Sequence, residues 1–410
     1  MILFLQGSLS AQYVFINMDA EQTNHLKAYG IAYRALQKGS KIHWLLNYKG
    51  GSFLIPASDE IKKEALLKGV SFEELAEEDF KKIVEIIEKS NMEDMILEKA
   101  PRIGIYTPPN KQPWDDAVTL ALTYAEISYK ALYDVEILKE GQLKDIDWLH
   151  LHHEDFTGQY GKFYSTYKDY EWYKQDQEIN ERTAKELGFA KVSKLKLAIV
   201  LAIREFVEKG GFLFAMCSAT ETLDIALAAQ RVDIVSEEFD GDGFDREADS
   251  KLAFNECLAF ENFKLCYDPY IYRFSDIDVS EEANRRSENG ERISLFSFSA
   301  KLDFVPTMLT QCHQKILKGF LGQTTGFHKR VVKKRIIILA DVPGSDEIKY
   351  IHGVWGKGMF AFLGGHDPED FKHMVGEDAT NLDLHKNSPG YRLILNNVLF
   401  PAAKKKRQKT

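Results

Sequence analysis

Cysteine is scarce in this chain. It occurs four times in 410 residues, at Cys217, Cys257, Cys266 and Cys312, with no Cys-x-x-Cys pair. That excludes a disulfide-built scaffold and a thioredoxin-like redox pair. Cys257 and Cys266 could bridge one short loop in an oxidising compartment, although a free buried thiol is the commoner fate. Nucleotide-binding glycine patterns are missing too. No Gly-x-Gly-x-x-Gly follows a strand and no Walker A loop is present, so neither dinucleotide nor P-loop chemistry is expected. No stretch approaches the roughly 20 apolar residues of a membrane span. Positive charge is also short. The net charge is -9, and the last seven residues, Lys404 to Thr410, hold five of the cations. An acidic body argues against a nucleic-acid groove, and the tail at 401–410 reads as a solvated basic end.

What remains is a globular composition, 44% hydrophobic, long enough for two or three domains. Residues 1–11, Met1-Ile2-Leu3-Phe4-Leu5 and then small residues up to Ala11, read as the end of a truncated secretory signal, or as an apolar N-terminal strand. The first reading implies a periplasmic or secreted protein, the second a cytoplasmic one. Residues 13–98 read as an α/β unit. It has strands at 13–18 and 41–48, a helix over 20–36, and charged helices over 58–90. A second series starts at Arg102. Strands are expected at Ile103–Tyr106, Val135–Leu138, Trp148–His153 and Phe212–Met216, with helices at Trp114–Leu132 and Val192–Glu208. Such alternation predicts an α/β fold with a doubly wound, mostly parallel sheet over 102–400. Residues 231–330 break the rhythm and read as an insertion beside the site. Its Asp240-Gly241-Asp242-Gly243-Phe244-Asp245 run lacks EF-hand spacing and reads as an acidic turn.

Candidate chemistry centres on Cys217. An apolar strand ends at Met216, and Ser218-Ala219-Thr220 opens a helix. A thiol on such a bend stands clear of the sheet, near backbone N–H groups that favour the thiolate. In a doubly wound sheet, ligands gather at the carboxyl ends of the strands. The loops at His152–Gly158 and Gly364–Glu369 reach the same edge. His366 is the candidate base, Asp367 or Glu369 the candidate group to orient it, and the Ser218 N–H a candidate oxyanion donor beside Gly365. His150 and His152 share one strand face and His153 points to the other. With Glu154 or Asp155 they form a partial metal set, a polar face for substrate, or a hydrogen-bonding structure. No further ligand is dictated nearby, so no metal and no cofactor is expected. His152, His153 and Glu154 are taken as substrate contacts. The aromatic run from Tyr160 to Tyr173 suits sugar stacking or packing equally. The partner expected is a small molecule.

Two stretches carry a family resemblance. Gly210-Gly211-Phe212-Leu213-Phe214-Ala215-Met216-Cys217-Ser218-Ala219-Thr220 resembles the Gly-Gly strand and Ser-Ala-Thr turn of the class I glutamine-amidotransferase-like superfamily, in its trehalose-utilisation (ThuA-like) branch. Trp355-Gly356-Lys357-Gly358 through Gly364-Gly365-His366-Asp367-Pro368-Glu369 resembles its Gly-Lys-Gly strand ending in Gly-His-Asp. The resemblance implies a flavodoxin-like sheet, with Cys217 as nucleophile and His366 as base. Ala215 and Ala219 replace the glycines of the Gly-x-Cys-x-Gly glutaminase motif, and Glu369 lies one position beyond the place of the glutamate in His-Pro-Glu. The whole chain resembles a bacterial family labelled asparagine synthetase B, through Gln22–Gly30 and His150–Gly161. It lacks that synthesis chemistry's N-terminal cysteine and its Ser-Gly-Gly-x-Asp-Ser loop. The function expected is therefore cysteine-dependent cleavage of a carboxamide such as glutamine. The alternative is a non-catalytic envelope protein binding a sugar or peptide.

Overall fold

The computed structural model describes residues 12–404. The signal-like stretch at 1–11 and the basic residues from 405 onward lie outside the described residues. Two sheets organise the rest. The smaller is antiparallel throughout and is built from β1 (Tyr13–Ile16), β2 (Ile42–Leu46), β3 (Ser52–Pro56), β4 (Glu73–Leu75) and β5 (Glu93–Leu97), in the order β4-β1-β3-β2-β5. The larger contains β6 (Ile103–Tyr106), β7 (Lys130–Leu132), β8 (Trp148–Leu151), β9 (Phe212–Met216), β10 (Arg292–Leu295), β11 (Ile316–Lys318), β12 (Phe327–His328), β13 (Ile337–Asp341), β14 (Glu347–Trp355) and β15 (Gly358–Leu363). Its order is β11-β10-β13-β14-β15-β9-β8-β6-β7, with β12 on β14.

The run β7-β6-β8-β9-β15 is parallel, and pairing from β15 outward through β14, β13, β10 and β11 is antiparallel. The larger sheet is therefore mixed, which corrects the expectation of a mostly parallel one. Edge strand β11 and its neighbour β10 come from the stretch read as an insertion, and the β14–β15 hairpin turns the chain back at Gly356-Lys357.

Parallel strands β6, β8, β9 and β15 are buried on both faces, which is why they read as continuous apolar runs. On one face Ile105, Trp148, Phe214 and Met216 share a core with the helices His25–Gln37, Ala117–Ala125 and Pro389–Leu399. On the other, Leu149, Leu213, Ala215 and Phe362 pack beneath the helices Val192–Glu208 and Ala219–Ala228. The N-terminal unit has its own sheet but shares its core with the rest. Its first helix crosses Ala117–Ala125 so closely that a Cβ on Gly30 would collide with the Ala125 carbonyl oxygen.

Local signals fix several boundaries. Asn24, Ser58, Asp116 and Ser388 each accept a backbone N–H from the first turn of the helix they precede. The helix read over Trp114–Leu132 is shorter, because Asp116 caps it and Glu126 ends it in a left-handed conformation. Residues Val135–Leu138, read as a strand, lie in a helical turn, Asp134–Leu138, closed by Glu136 accepting the Tyr133 N–H. The segment read as helical over 58–90 is divided by β4. All four cysteines are free, so Cys257 and Cys266 are not bridged.

Candidate functional site

Strands β6, β8, β9 and β15 deliver their carboxyl ends to one edge of the sheet. Cys217 follows β9 directly and holds φ at +50°, a left-handed conformation uncommon for a residue with a Cβ. Three contacts brace it. Its N–H donates to the Gly365 carbonyl at 3.2 Å, its carbonyl accepts the Thr220 hydroxyl at 2.6 Å, and the next turn is tied to β8 by Ala219 N–H donating to His152 O at 3.0 Å. Ser218 is fully enclosed, and its hydroxyl has no hydrogen-bond partner. Lys349 lies behind the bend, donating to Phe320 O and Thr325 O at 2.5 and 2.6 Å, with its ammonium pushed down to about 7 by burial.

His366 arrives on the adjacent strand end, two residues past Gly364. Gly365 adopts φ +92°, and a Cβ there would meet the Phe320 ring at 2.5 Å. This close fit carries the chain into His366, whose N–H donates to Leu321 O at 2.8 Å. The elbow and His366 thus come from neighbouring strand ends, joined through the backbone bond between Cys217 and Gly365. The imidazole itself faces a cluster of other imidazoles. Its centroid lies 4.8 Å from His152, 4.8 Å from His153 and 4.2 Å from His373.

The cluster extends further than the sequence indicated. Asp116, capping its helix, stands 3.4 Å from His150 Nε2 and 3.2 Å from His152 Nδ1. His150 has its Nδ1 against Phe214 O at 3.1 Å. Asp115 reaches toward His373 Nε2 at 3.2 Å and His366 Nε2 at 3.9 Å. Burial opposes ionisation of Asp116, but the His152 and His150 imidazoles outweigh it and hold the carboxyl well below its usual range. Asp115 is likewise lowered, its burial outweighed by His366 and His373. Burial, reinforced by the charge of His152 and His366, pushes the His153 imidazole well below its ordinary value. Sequence reasoning missed Asp115, Asp116 and His373. The first two fall at the start of the stretch read as the helix Trp114–Leu132, and they directly follow the loop leaving β6, a strand whose carboxyl end belongs to this edge.

The other expected partners of His366 are occupied elsewhere. Asp367 accepts the Tyr391 hydroxyl at 2.7 Å and the Glu369 N–H at 2.8 Å. Glu369 pairs with His385 at 3.0 Å. Neither carboxylate is engaged with the His366 ring. The aromatic run packs on itself. Phe163 contacts Trp114, Tyr167, Trp172 and Tyr272, and Tyr173 is buried. Tyr272 and the Phe320–Gly326 loop come from the stretch read as an insertion, and this stretch walls the site. A cavity of about 70 Å³ lies between these rings, His153, Glu154 and Lys196. A larger cavity, about 1160 Å³, opens at the opposite edge of the strands, among Phe212, Met359, Phe304 and Phe400.

Glu154 accepts the His152 N–H at 2.7 Å, yet burial dominates and lifts its carboxyl to about 8. A raised folded-state value favours the protonated protein. Its contribution to stability is complete below the unfolded value near 4.5 and is lost as pH rises through about 8. Urea unfolding of the parent and Glu154→Gln between pH 5 and 8 should therefore diverge. The parent should lose a few kcal/mol more than the variant, on the order of the shift at ~1.4 kcal/mol per pH unit. Parallel curves would show that the carboxyl is solvated.

No protein-family model matches the chain, and no curated protein does. Solved structures do. Two cytoplasmic proteins of Salmonella typhimurium, STM3548 and STM1381, are each 11% identical over 74% of this chain and 100% of their own, with TM-scores of 0.37 and 0.36. A catalytic mutant of Gan42B, a GH42 β-galactosidase of G. stearothermophilus, is 11% identical over 65% of this chain and 28% of its own, with a TM-score of 0.26. Among the described residues, no helix is long and apolar enough to cross a membrane.

Proposed function

We propose that the chain is a cysteine-dependent hydrolase that cleaves a small carboxamide, glutamine being the first candidate. The observation that carries this reading is the strained bend at Cys217, φ +50°, at the carboxyl end of β9 and beside the strand end that carries His366. Strain of this kind is retained where it serves a site. The Cys217 thiol gives its proton to an imidazole of the His153–His366 pair, and the sulfur attacks the amide carbon. The oxyanion takes its hydrogen bond from the Ser218 N–H in this scheme. The imidazolium returns the proton to the leaving nitrogen as the C–N bond breaks. Water, deprotonated by the same imidazole, then cleaves the thioester to a carboxylate. Glu154, protonated at neutral pH, is suited to donate a hydrogen bond to a substrate oxygen.

The strand order β7-β6-β8-β9-β15 supports a flavodoxin-like reading of the parallel half, in keeping with the amidotransferase-like and ThuA-like resemblance. The apolar N-terminal stretch supports a periplasmic site of action. Two measurements test the activity. Ammonia release should be detected with at least one member of a panel of glutamine, asparagine and short peptide amides. Iodoacetamide at pH 7 should label Cys217 ahead of Cys257, the other buried thiol, as read by peptide mass spectrometry. A silent panel with Cys217 no more reactive than Cys257 would leave only the binding-protein alternative.

A further inference from the structure

We propose that Asp115, His366 and His373 form a binding site for a divalent transition-metal ion of zinc type, with Asp370 as the outer partner that aims His373. Four donor atoms converge here. Both Asp115 carboxylate oxygens, His366 Nε2 and His373 Nε2 are buried, and none makes a well-formed hydrogen bond, Asp115 Oδ1 meeting the two imidazoles only at 3.2 and 3.9 Å. Leaving such atoms unpaired is costly, and native proteins rarely do so without a ligand to satisfy them. One donor atom from each of the three residues lies within 4.8 Å of the others. The His373 Nε2 to Asp115 Oδ1 separation of 3.2 Å is close to the ~3.3 Å edge expected between two ligands each ~2.0–2.1 Å from a tetrahedral ion. The 3.9 Å separation of His366 Nε2 from the same oxygen needs only a small closure around an ion.

The surroundings fit a ligand set better than a chain of ion pairs. His373 Nδ1 is bonded to Asp370 at 2.9 Å, which turns Nε2 toward Asp115. A carboxylate behind a histidine is the usual outer support of a metal-binding imidazole. The His366 and His373 rings stack at 4.2 Å with planes 10° apart, and both Nε2 atoms approach Asp115, so binding one ion requires the two rings to tilt toward each other. Two imidazoles and one carboxylate leave further positions for water or substrate.

The neighbouring sets overlap this one: His152 and His153 also converge on His366, and His150 Nε2 and both His152 ring nitrogens are likewise without a hydrogen-bond partner. Asp116, near His150 and His152, already accepts the Val118 and Thr119 N–H groups as a helix cap. Asp233, Asp240 and Asp242 converge on Lys191, which supplies their countercharge. The metal inference does not rest on the hydrolase reading, since ion binding needs no turnover. It bears on that reading in one respect. With the ion bound His366 is a ligand and is not free to take the Cys217 proton.

The test is a titration of the full chain, stripped with chelator, with cobalt(II) and then zinc(II). One equivalent of cobalt should bind with visible d–d absorption and be displaced by zinc. His373→Gln and Asp115→Asn should each weaken binding by ~100-fold or more, and Asp370→Asn by about 10–100-fold, as loss of an outer partner does. Asp233→Asn should bind as the parent does. Thermal unfolding of the apo variants verifies that they fold. Cobalt uptake below ~0.1 equivalent, or uptake that His373→Gln and Asp115→Asn leave unchanged, would overturn the site. Carboxamide turnover measured on the same stripped and loaded samples separates failure of the metal from failure of the nucleophile.

Discussion

Cys217→Ala should abolish carboxamide cleavage, lowering kcat by ~10³-fold or more, while leaving the protein folded. The size follows from removing the nucleophile of a covalent mechanism, where only binding and oxyanion stabilisation remain. Retention of the fold follows from the local structure. The bend is held by backbone contacts to Gly365 and Thr220, and the sulfur makes no hydrogen bond of its own. Alanine and cysteine also pay a similar penalty at φ +50°, so the strain neither grows nor relaxes. Ammonia release, circular dichroism and Tm on one preparation give the answer. Turnover within ~10-fold of the parent, with the fold intact, would remove Cys217 from the chemistry and leave the histidine–aspartate cluster to account for any activity.

The second large effect concerns the wall of the small cavity. Lys196, buried in the helix Val192–Glu208, donates to Asp134 at 2.9 Å and to the Tyr106 and Tyr133 hydroxyls at 3.1 Å each. Asp134 is fully enclosed and also accepts the Tyr106 hydroxyl at 2.5 Å. Burial alone would lower the Lys196 ammonium, but Asp134 and Tyr133 outweigh it and hold it above its ordinary value. Asp134→Ala strands that cation, and urea unfolding should register a loss of about 3–5 kcal/mol. Adding Lys196→Met should recover much of it, because the penalty lies in the unpaired charge rather than in the missing pair. A loss under ~1 kcal/mol for Asp134→Ala would mean that water reaches the ammonium.

The alternation of strands and helices from Ile103 to Met216 was legible because both-face burial leaves uninterrupted apolar runs, bounded by Gly210-Gly211 and the turn at Cys217. The helix Val192–Glu208 and the strands Ile103–Tyr106 and Phe212–Met216 stand where the pattern puts them. Val135–Leu138 was not legible as helix. Four apolar or acidic residues fit either period, and the deciding contact is the Glu136 carboxylate on the Tyr133 N–H. The antiparallel half of the larger sheet was hidden for another reason. Strands β10 and β11 are short with alternating exposure, and only the pairing of β10 to β13, with β11 at the edge beyond it, gives them a place.

At the site, Cys217 and His366 could be read from their positions after apolar strands. Asp115 and Asp116 could not be told from ordinary first-turn acids. What distinguishes them is a register that sets His150 opposite Phe214, on the face of the sheet that receives the helix Ala117–Ala125. His373 lies in an irregular loop, where sequence offers no period to say which way a ring turns.

The opening helix of the chain rests against the closing one, and Glu98 and Lys404 exchange backbone bonds with Ala402 and Ile96. Residues far apart in order thus seal each other. A cut near residue 98 would give two pieces, each with a bare oily flank, and neither should stay monomeric in water without the other. Sequence-adjacent units that look separable on paper would have to be co-produced, and mixing the two halves should restore what either lacks.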